Sequence, residues 1–207
     1  MTVLIATDVF GITPALASLV RSLGCECLLV SPFDDPDLYF QSEQKAYHAF
    51  LAEGGVARYA NKVTALLQEK NASNSQTAGI QMVIGFSAGA SALWMCCARD
   101  EAKQLQAAVL FYGSRIRDLQ TLQALCPVRL IFAEKEAAFD SPALSNALQK
   151  LGHQAELARH TSHGFMNPYS RGFDVKIQAL YLDQLAVQIQ ELKELNQNCP
   201  LGELTCA

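Results

Sequence analysis

The sequence predicts an α/β fold, with a mainly parallel central sheet and helices on both faces. Three observations carry this reading. Short apolar runs of strand length alternate with helix-length periodic segments from one end of the chain to the other. The 207 residues suit one domain around one sizeable core. Half of them are hydrophobic and only 17% are charged, which suits a sheet buried on both faces and argues against wholesale disorder.

Taken in order, Val3 to Ala6 is a short apolar run closed by Thr7-Asp8, as a buried strand would be. A helix is expected over Pro14 to Leu23, with Thr13 as N-cap, Pro14 at the first helical position and Gly24 closing it. Cys25 to Val30 reads as the next strand, stopped by Ser31-Pro32. After the loop Phe33 to Phe40, two helices are expected around Gln41 to Leu51 and Val56 to Lys70, split by Gly54-Gly55. The polar run Asn71 to Thr77 reads as a surface turn. Ile80 to Ile84 is the central strand and Ala88 to Ala98 the helix after it. A strand follows at Ala107 to Phe111, then a short helix near Leu119 to Leu125 and a strand at Val128 to Phe132. Leu144 to Leu151 is helical in pattern, with Ser141 as cap and Pro142 at the helix start. Ala155 to Ala158 reads as the last strand, and a long amphipathic helix is expected from about Phe173 to Leu195. The organisation expected is a single domain over 1–195 and a loosely held tail over 196–207, which contains Pro200 and Gly202.

Composition narrows the function. The formal net charge is -4, and the sixteen Lys and Arg residues are scattered without the basic stripe of a nucleic-acid binder. No apolar stretch approaches a membrane span. Residues 1–8 lack the basic region and the longer apolar run of a signal peptide, so a cytoplasmic location is the default expectation. The seven cysteines fit no zinc spacing and read as reduced, mostly buried thiols. Cys199 and Cys206 lie in the expected tail, and nothing requires them to pair. The His160-x-x-His163 pair has no carboxylate motif beside it and is a weak metal signal, so no metal or cofactor is expected.

In a sheet of this kind the chemistry gathers outside the carboxyl ends of the strands. The loop after the central strand reads Gly85-Phe86-Ser87-Ala88-Gly89, the G-x-S-x-G pattern between a strand and a helix. A nucleophilic serine there sits on a sharp turn that lifts its hydroxyl above the sheet, and close passage of strand and helix calls for Gly85 and Gly89. A serine also needs a general base within hydrogen-bond reach. His163, in His163-Gly164-Phe165, suits a loop bending back over the sheet, with His160 as fallback; His153 belongs to the wrong end. The acid belongs just after the strand Val128 to Phe132, where Glu134, Glu136 and Asp140 stand. Glu136 is preferred, because Asp140 reads as helix-start chemistry and Glu134 lies close to the strand end; Asp118 is a distant fourth. The backbone N–H groups of Val9 and Ala88 are the expected oxyanion pair. Asp8 is either a surface turn residue or a carboxylate that modulates Ser87.

These residues also carry a resemblance. Asp8-Val9-Phe10-Gly11, Gly85-Phe86-Ser87-Ala88-Gly89, Ala108-Val109-Leu110-Phe111-Tyr112-Gly113 and His163-Gly164-Phe165 occur in the order found in the dienelactone hydrolase family of α/β-hydrolases, and Pro127 to Phe132 is also similar. The ordered set spans residues 1 to about 170. The resemblance implies an α/β-hydrolase-like fold, trimmed at the N-terminal sheet edge, and a nucleophile–acid–histidine triad that falls by position on Ser87, Glu136 and His163. Three positions depart from the family pattern: serine stands where the name-giving enzymes have cysteine, Glu136 where aspartate is usual, and Asp8 where the family has a glutamate that helps control the thiol. The arginines that bind a dienelactone's carboxylate have no counterpart in Ser42 to Tyr47, and Asn167 follows the His163 block, which points away from an anionic dienelactone.

The expected function is hydrolysis of a small ester or lactone through an acyl-enzyme on Ser87, with short acyl chains preferred because no long lid is visible. A scaffold that has lost catalysis and serves as a binding or regulatory protein is the alternative. A different open α/β fold of amidotransferase kind is a third reading, against which Ser87 counts because such proteins generally want cysteine at the elbow. Tyr47, Phe50, Phe86 and Trp94 are aromatic candidates for pocket or core, with core favoured for each.

Overall fold

A computed structural model describes residues 1–72 and 79–198. Among the described residues, six strands form one sheet: β1 (Thr2–Ala6), β2 (Glu26–Val30), β3 (Ile80–Phe86), β4 (Ala107–Phe111), β5 (Val128–Lys135) and β6 (Gln154–Ser162). All neighbours are parallel, in the order β2-β1-β3-β4-β5-β6. The helices are α1 (Pro14–Ser22), α2 (Glu43–Ala52), α3 (Gly55–Ala72), α4 (Ala88–Cys97), α5 (Ser141–Lys150) and α6 (Val175–Asn198). The order turns at β1, where one crossover runs out to β2 and the next returns past β1 to β3. The loops after β1 and β3 therefore lie side by side at the carboxyl edge, where such sheets place ligands.

Alternate side chains of each strand feed two apolar layers. Leu4, Val83, Leu110 and Leu130 face one way, against Phe50 of α2, Val63 and Leu67 of α3, Leu93 and Trp94 of α4 and Leu148 of α5. Val3, Ile5, Ile84, Val109 and Ile131 face the other way, against Leu19 of α1 and Tyr181, Leu185 and Ile189 of α6. Burial on both faces is why the strands read as unbroken apolar runs rather than as alternating ones.

Helix starts follow local chemistry. The Thr13 hydroxyl accepts from the Leu16 N–H and Ser42 caps α2. Several expected boundaries are corrected. Asp140, not Ser141, is the N-cap of α5; its carboxylate accepts from the Ala143 N–H at 2.9 Å. The expected helix near Leu119 to Leu125 is absent: a 3-10 turn covers Ser114–Asp118, and Trp94 donates its indole N–H to the Leu119 carbonyl, holding the following segment in an irregular path. A second 3-10 turn, Asp100–Gln104, was not anticipated. β6 is longer than its apolar stretch, because parallel pairing with β5 carries polar residues as far as Ser162. Asn71 and Ala72 belong to α3, and the rest of the expected surface turn lies outside the described residues. Helix α6 continues to Asn198, so the expected tail loses its first three residues to the helix, and Cys199 and Cys206 lie outside the described residues. Cys25, Cys27, Cys96, Cys97 and Cys126 are free thiols. No helix among the described residues is long and apolar enough to cross a membrane.

Candidate active site

Ser87 occupies the one-residue turn between β3 and α4 with φ +49° and ψ -107°. A positive φ at a serine is strained by about 1–3 kcal/mol and persists only where packing enforces it. Two glycines allow that packing. A Cβ at Gly85 would lie 2.6 Å from the Ala90 Cα, and one at Gly89 would run into the carbonyls of Ala6 and Thr7. The α4 backbone thus rides directly on the end of β1, and Ser87 is lifted clear of the sheet.

The Ser87 Oγ lies 2.9 Å from Nε2 of His163. On the far side of the ring, both Glu136 carboxylate oxygens approach Nδ1, at 2.9 and 3.0 Å. The Glu136 side chain is only 4% exposed, so its charge acts on the imidazole with little screening. The Tyr112 and His163 rings meet in a T-shaped contact, with centroids 5.1 Å apart. Burial of the imidazole opposes its protonation, but the hydrogen bond and charge of Glu136, with smaller help from Glu43 and Asp8, outweigh that and hold its pKa above the ordinary histidine value.

His163 reaches this position because of an irregularity between β5 and β6. Ala133 pairs with Ala158, but Lys135 pairs with Ser162, so that Glu134 alone faces Arg159, His160 and Thr161. His160 takes a left-handed φ of +62° in this bulge. Glu134 holds it, accepting from the His160 N–H at 2.8 Å and from the Arg159 guanidinium at 3.0 Å. The two extra residues carry His163 past the strand end and opposite Glu136.

The remaining candidates fall elsewhere. His160 lies within β6 and points to solvent. Asp140 caps α5, and Asp118 pairs with Arg115 at 3.2 Å. Val9 and Ala88 line the same cavity as Ser87 and His163. The Ala88 N–H is the first of α4 and belongs to those that have no partner within a helix. Of the aromatic candidates, Phe50, Phe86 and Trp94 are buried, whereas Tyr47 is exposed on the cavity wall.

Asp8 is not a surface turn residue. It is buried; one carboxylate oxygen accepts from the Phe10 N–H at 3.0 Å and the other from the Asn167 side-chain amide at 2.6 Å. Desolvation outweighs these hydrogen bonds and raises its pKa to about 6. The Asp8–Asn167 bond ties the loop after β1, which carries Val9, to the loop that carries His163. Sequence reading did not foresee this pairing, because the partners stand 159 residues apart. Arg115 and Arg171, which also line the cavity, were likewise missed, since neither belongs to a motif.

This geometry sits in a known lineage. Residues 1–190 match the model of the dienelactone hydrolase family. The uncharacterized protein YczH of Bacillus subtilis (strain 168) is 29% identical over 192 residues, covering 89% of both chains. A Klebsiella pneumoniae subsp. pneumoniae MGH 78578 protein assigned as a dienelactone hydrolase superposes with a TM-score of 0.70 at 16% identity, over 92% of this chain and 86% of that one. Dienelactone hydrolase from Anabaena variabilis ATCC 29413 gives 0.60 at 17% identity, over 92% and 85%. The two structural likenesses show the fold, and the family match goes further. The chain belongs to the dienelactone hydrolase family, and with it to the ester and lactone hydrolases of α/β-hydrolase fold.

Proposed function

We propose that the chain is a serine hydrolase that cleaves a small-molecule carboxylic ester or lactone through an acyl-enzyme on Ser87. The single observation that carries this reading is the continuous line from the Ser87 Oγ through His163 to the Glu136 carboxylate, at 2.9 Å on each side of the ring. Its geometry suits general-base attack. His163 Nε2 takes the hydroxyl proton as Ser87 Oγ bonds to the substrate carbonyl carbon. Glu136 holds the ring with Nδ1–H toward itself and stabilises the imidazolium. The carbonyl oxygen, now negative, is received by the N–H groups of Val9 and Ala88, where the start of α4 adds a favourable dipole. His163 then returns the proton to the leaving alkoxide. In the second half-reaction it deprotonates a water, which releases the acyl group as a carboxylate.

A fluorophosphonate probe tests this directly. The wild-type chain is expected to be labelled at one site, and Ser87→Ala is expected to abolish labelling while leaving the circular-dichroism spectrum intact. A well-folded wild type that takes no label, and turns over no activated ester, favours the binding-protein reading instead.

A further inference from the structure

The cavity beside Ser87 has a volume of about 920 Å³. That lies near the upper end of the roughly 300–1,000 Å³ typical of small-molecule sites. An acetyl or butyryl group would leave most of it to water. Part of its lining comes from the long crossover between β2 and β3, and part from α4 and the loops after β4 and β6. Tyr47, Phe50 and Leu51 of α2 and Val56 of α3 form one side, and Met95 of α4 and Leu119 the other.

Two features of these walls stand out. Tyr47 and Leu51 are one helical turn apart on α2 and remain 42% and 48% exposed, two large side chains on the cavity wall, the Tyr47 ring carrying a hydroxyl that faces the Arg115 guanidinium. Val56, Met95 and Leu119 are partly buried, packed on the core but still lining the space. Two cations and two anions line the cavity: Arg115, which pairs with Asp118 at 3.2 Å, and Arg171 and Glu43, which no ion pair joins. The lining therefore offers a run of apolar side chains together with charges of both signs in equal number.

We infer that the substrate carries an extended, uncharged apolar group, alkyl or aryl, that lies along the trough between α2 and α4 while its ester carbonyl sits at Ser87. This rests on the reading of Ser87 as the nucleophile, and it runs against the short-chain preference that the sequence suggests.

Two ester series test it on the intact chain. In one, p-nitrophenyl esters run from acetate to octanoate; in the other, butyrate esters run from methyl to hexyl. In at least one series kcat/KM is expected to climb about three- to fourfold per added methylene over several steps, as burial of CH₂ groups predicts; the series that climbs identifies the half of the substrate held in the trough. Leu51→Ser and Tyr47→Ser are expected to lower the ratio of long-chain to short-chain kcat/KM at least fivefold. Both side chains are half exposed, so neither change attacks the core. Turnover that is flat or falling with length in both series overturns the inference. So does faster hydrolysis of an ester ending in a carboxylate than of the neutral ester of equal length. Those failures differ from failure of the nucleophile reading, in which neither fluorophosphonate labelling nor turnover of any ester occurs.

Discussion

Replacing Glu136 by glutamine keeps size and shape but removes one charge, and two effects of opposite appearance follow. Both carboxylate oxygens lie within 3.0 Å of Nδ1, and the side chain is almost wholly enclosed. Taking the centres of charge as about 4 Å apart and an effective dielectric constant of about 20, the carboxylate stabilises the imidazolium by about 4 kcal/mol. That corresponds to about a thousandfold in rate if it is expressed wholly in the transition state. Glutamine also introduces a tautomer problem. If its NH₂ faces Nδ1, the proton moves to Nε2 and the ring no longer accepts from Ser87, which brings the expected loss in kcat/KM to about 10³–10⁴-fold. The pH profile moves the other way. In the proposed mechanism His163 acts as base only when neutral, so the acid limb of kcat/KM should report its pKa in the free enzyme. That pKa is held up by Glu136, and Glu136→Gln should shift the limb to lower pH even as the plateau falls. The assay is kcat/KM on an activated p-nitrophenyl ester from pH 5 to 9, with the rate of fluorophosphonate labelling as a second readout. A loss smaller than tenfold, or a limb that stays in place, would refute the assignment of Glu136 as the carboxylate that orients and charges the base.

Two further perturbations separate positioning from charge. Glu134 touches His163 only through the β6 bulge, so Glu134→Ala is expected to lower kcat by about 10- to 100-fold through misplacement of the imidazole. The acid limb should not shift, and Glu134→Gln, which keeps an acceptor for the His160 N–H, should recover most of the loss; an unchanged kcat in Glu134→Ala would remove Glu134 from the account. Asp8 gives a prediction in stability. Its folded pKa is about 6 against 3.8 in the unfolded chain, so between these values the folded state holds the extra proton and its stability declines as pH rises. Urea unfolding of the wild type and of Asp8→Asn, which does not titrate, should show the difference in stability, wild type minus variant, falling by about 3 kcal/mol from pH 3.5 to pH 7. A constant difference would mean that Asp8 does not carry the shift.

What the residues determined alone is local and periodic. The run Ile80 to Ile84 followed by Gly85-Phe86-Ser87-Ala88-Gly89 could become only a buried strand, a tight turn and a helix, because no side chain fits at either glycine. The unbroken apolar strands required cover on both faces, and the alternation with helices required parallel crossovers. The same reasoning brought Ser87, Glu136 and His163 to one end of the sheet, where the structure places them within hydrogen-bond reach. Sequence could not decide what depends on register between distant segments. Whether Glu134 or Glu136 meets the imidazole turns on a bulge that hydrogen bonds between β5 and β6 create, and no residue type announces it. Asp8 became a buried carboxylate only because Asn167 arrives from the other end of the chain. The size and lining of the cavity belong to the tertiary arrangement of α2, α3 and α4, in which α3 packs on α4 and α2 stands apart from it, since Tyr47 or Leu51 reads the same in a helix pattern whether it faces the core, water or a substrate. Pattern fixes which face a residue takes on its own element; only the assembled fold determines what lies opposite that face.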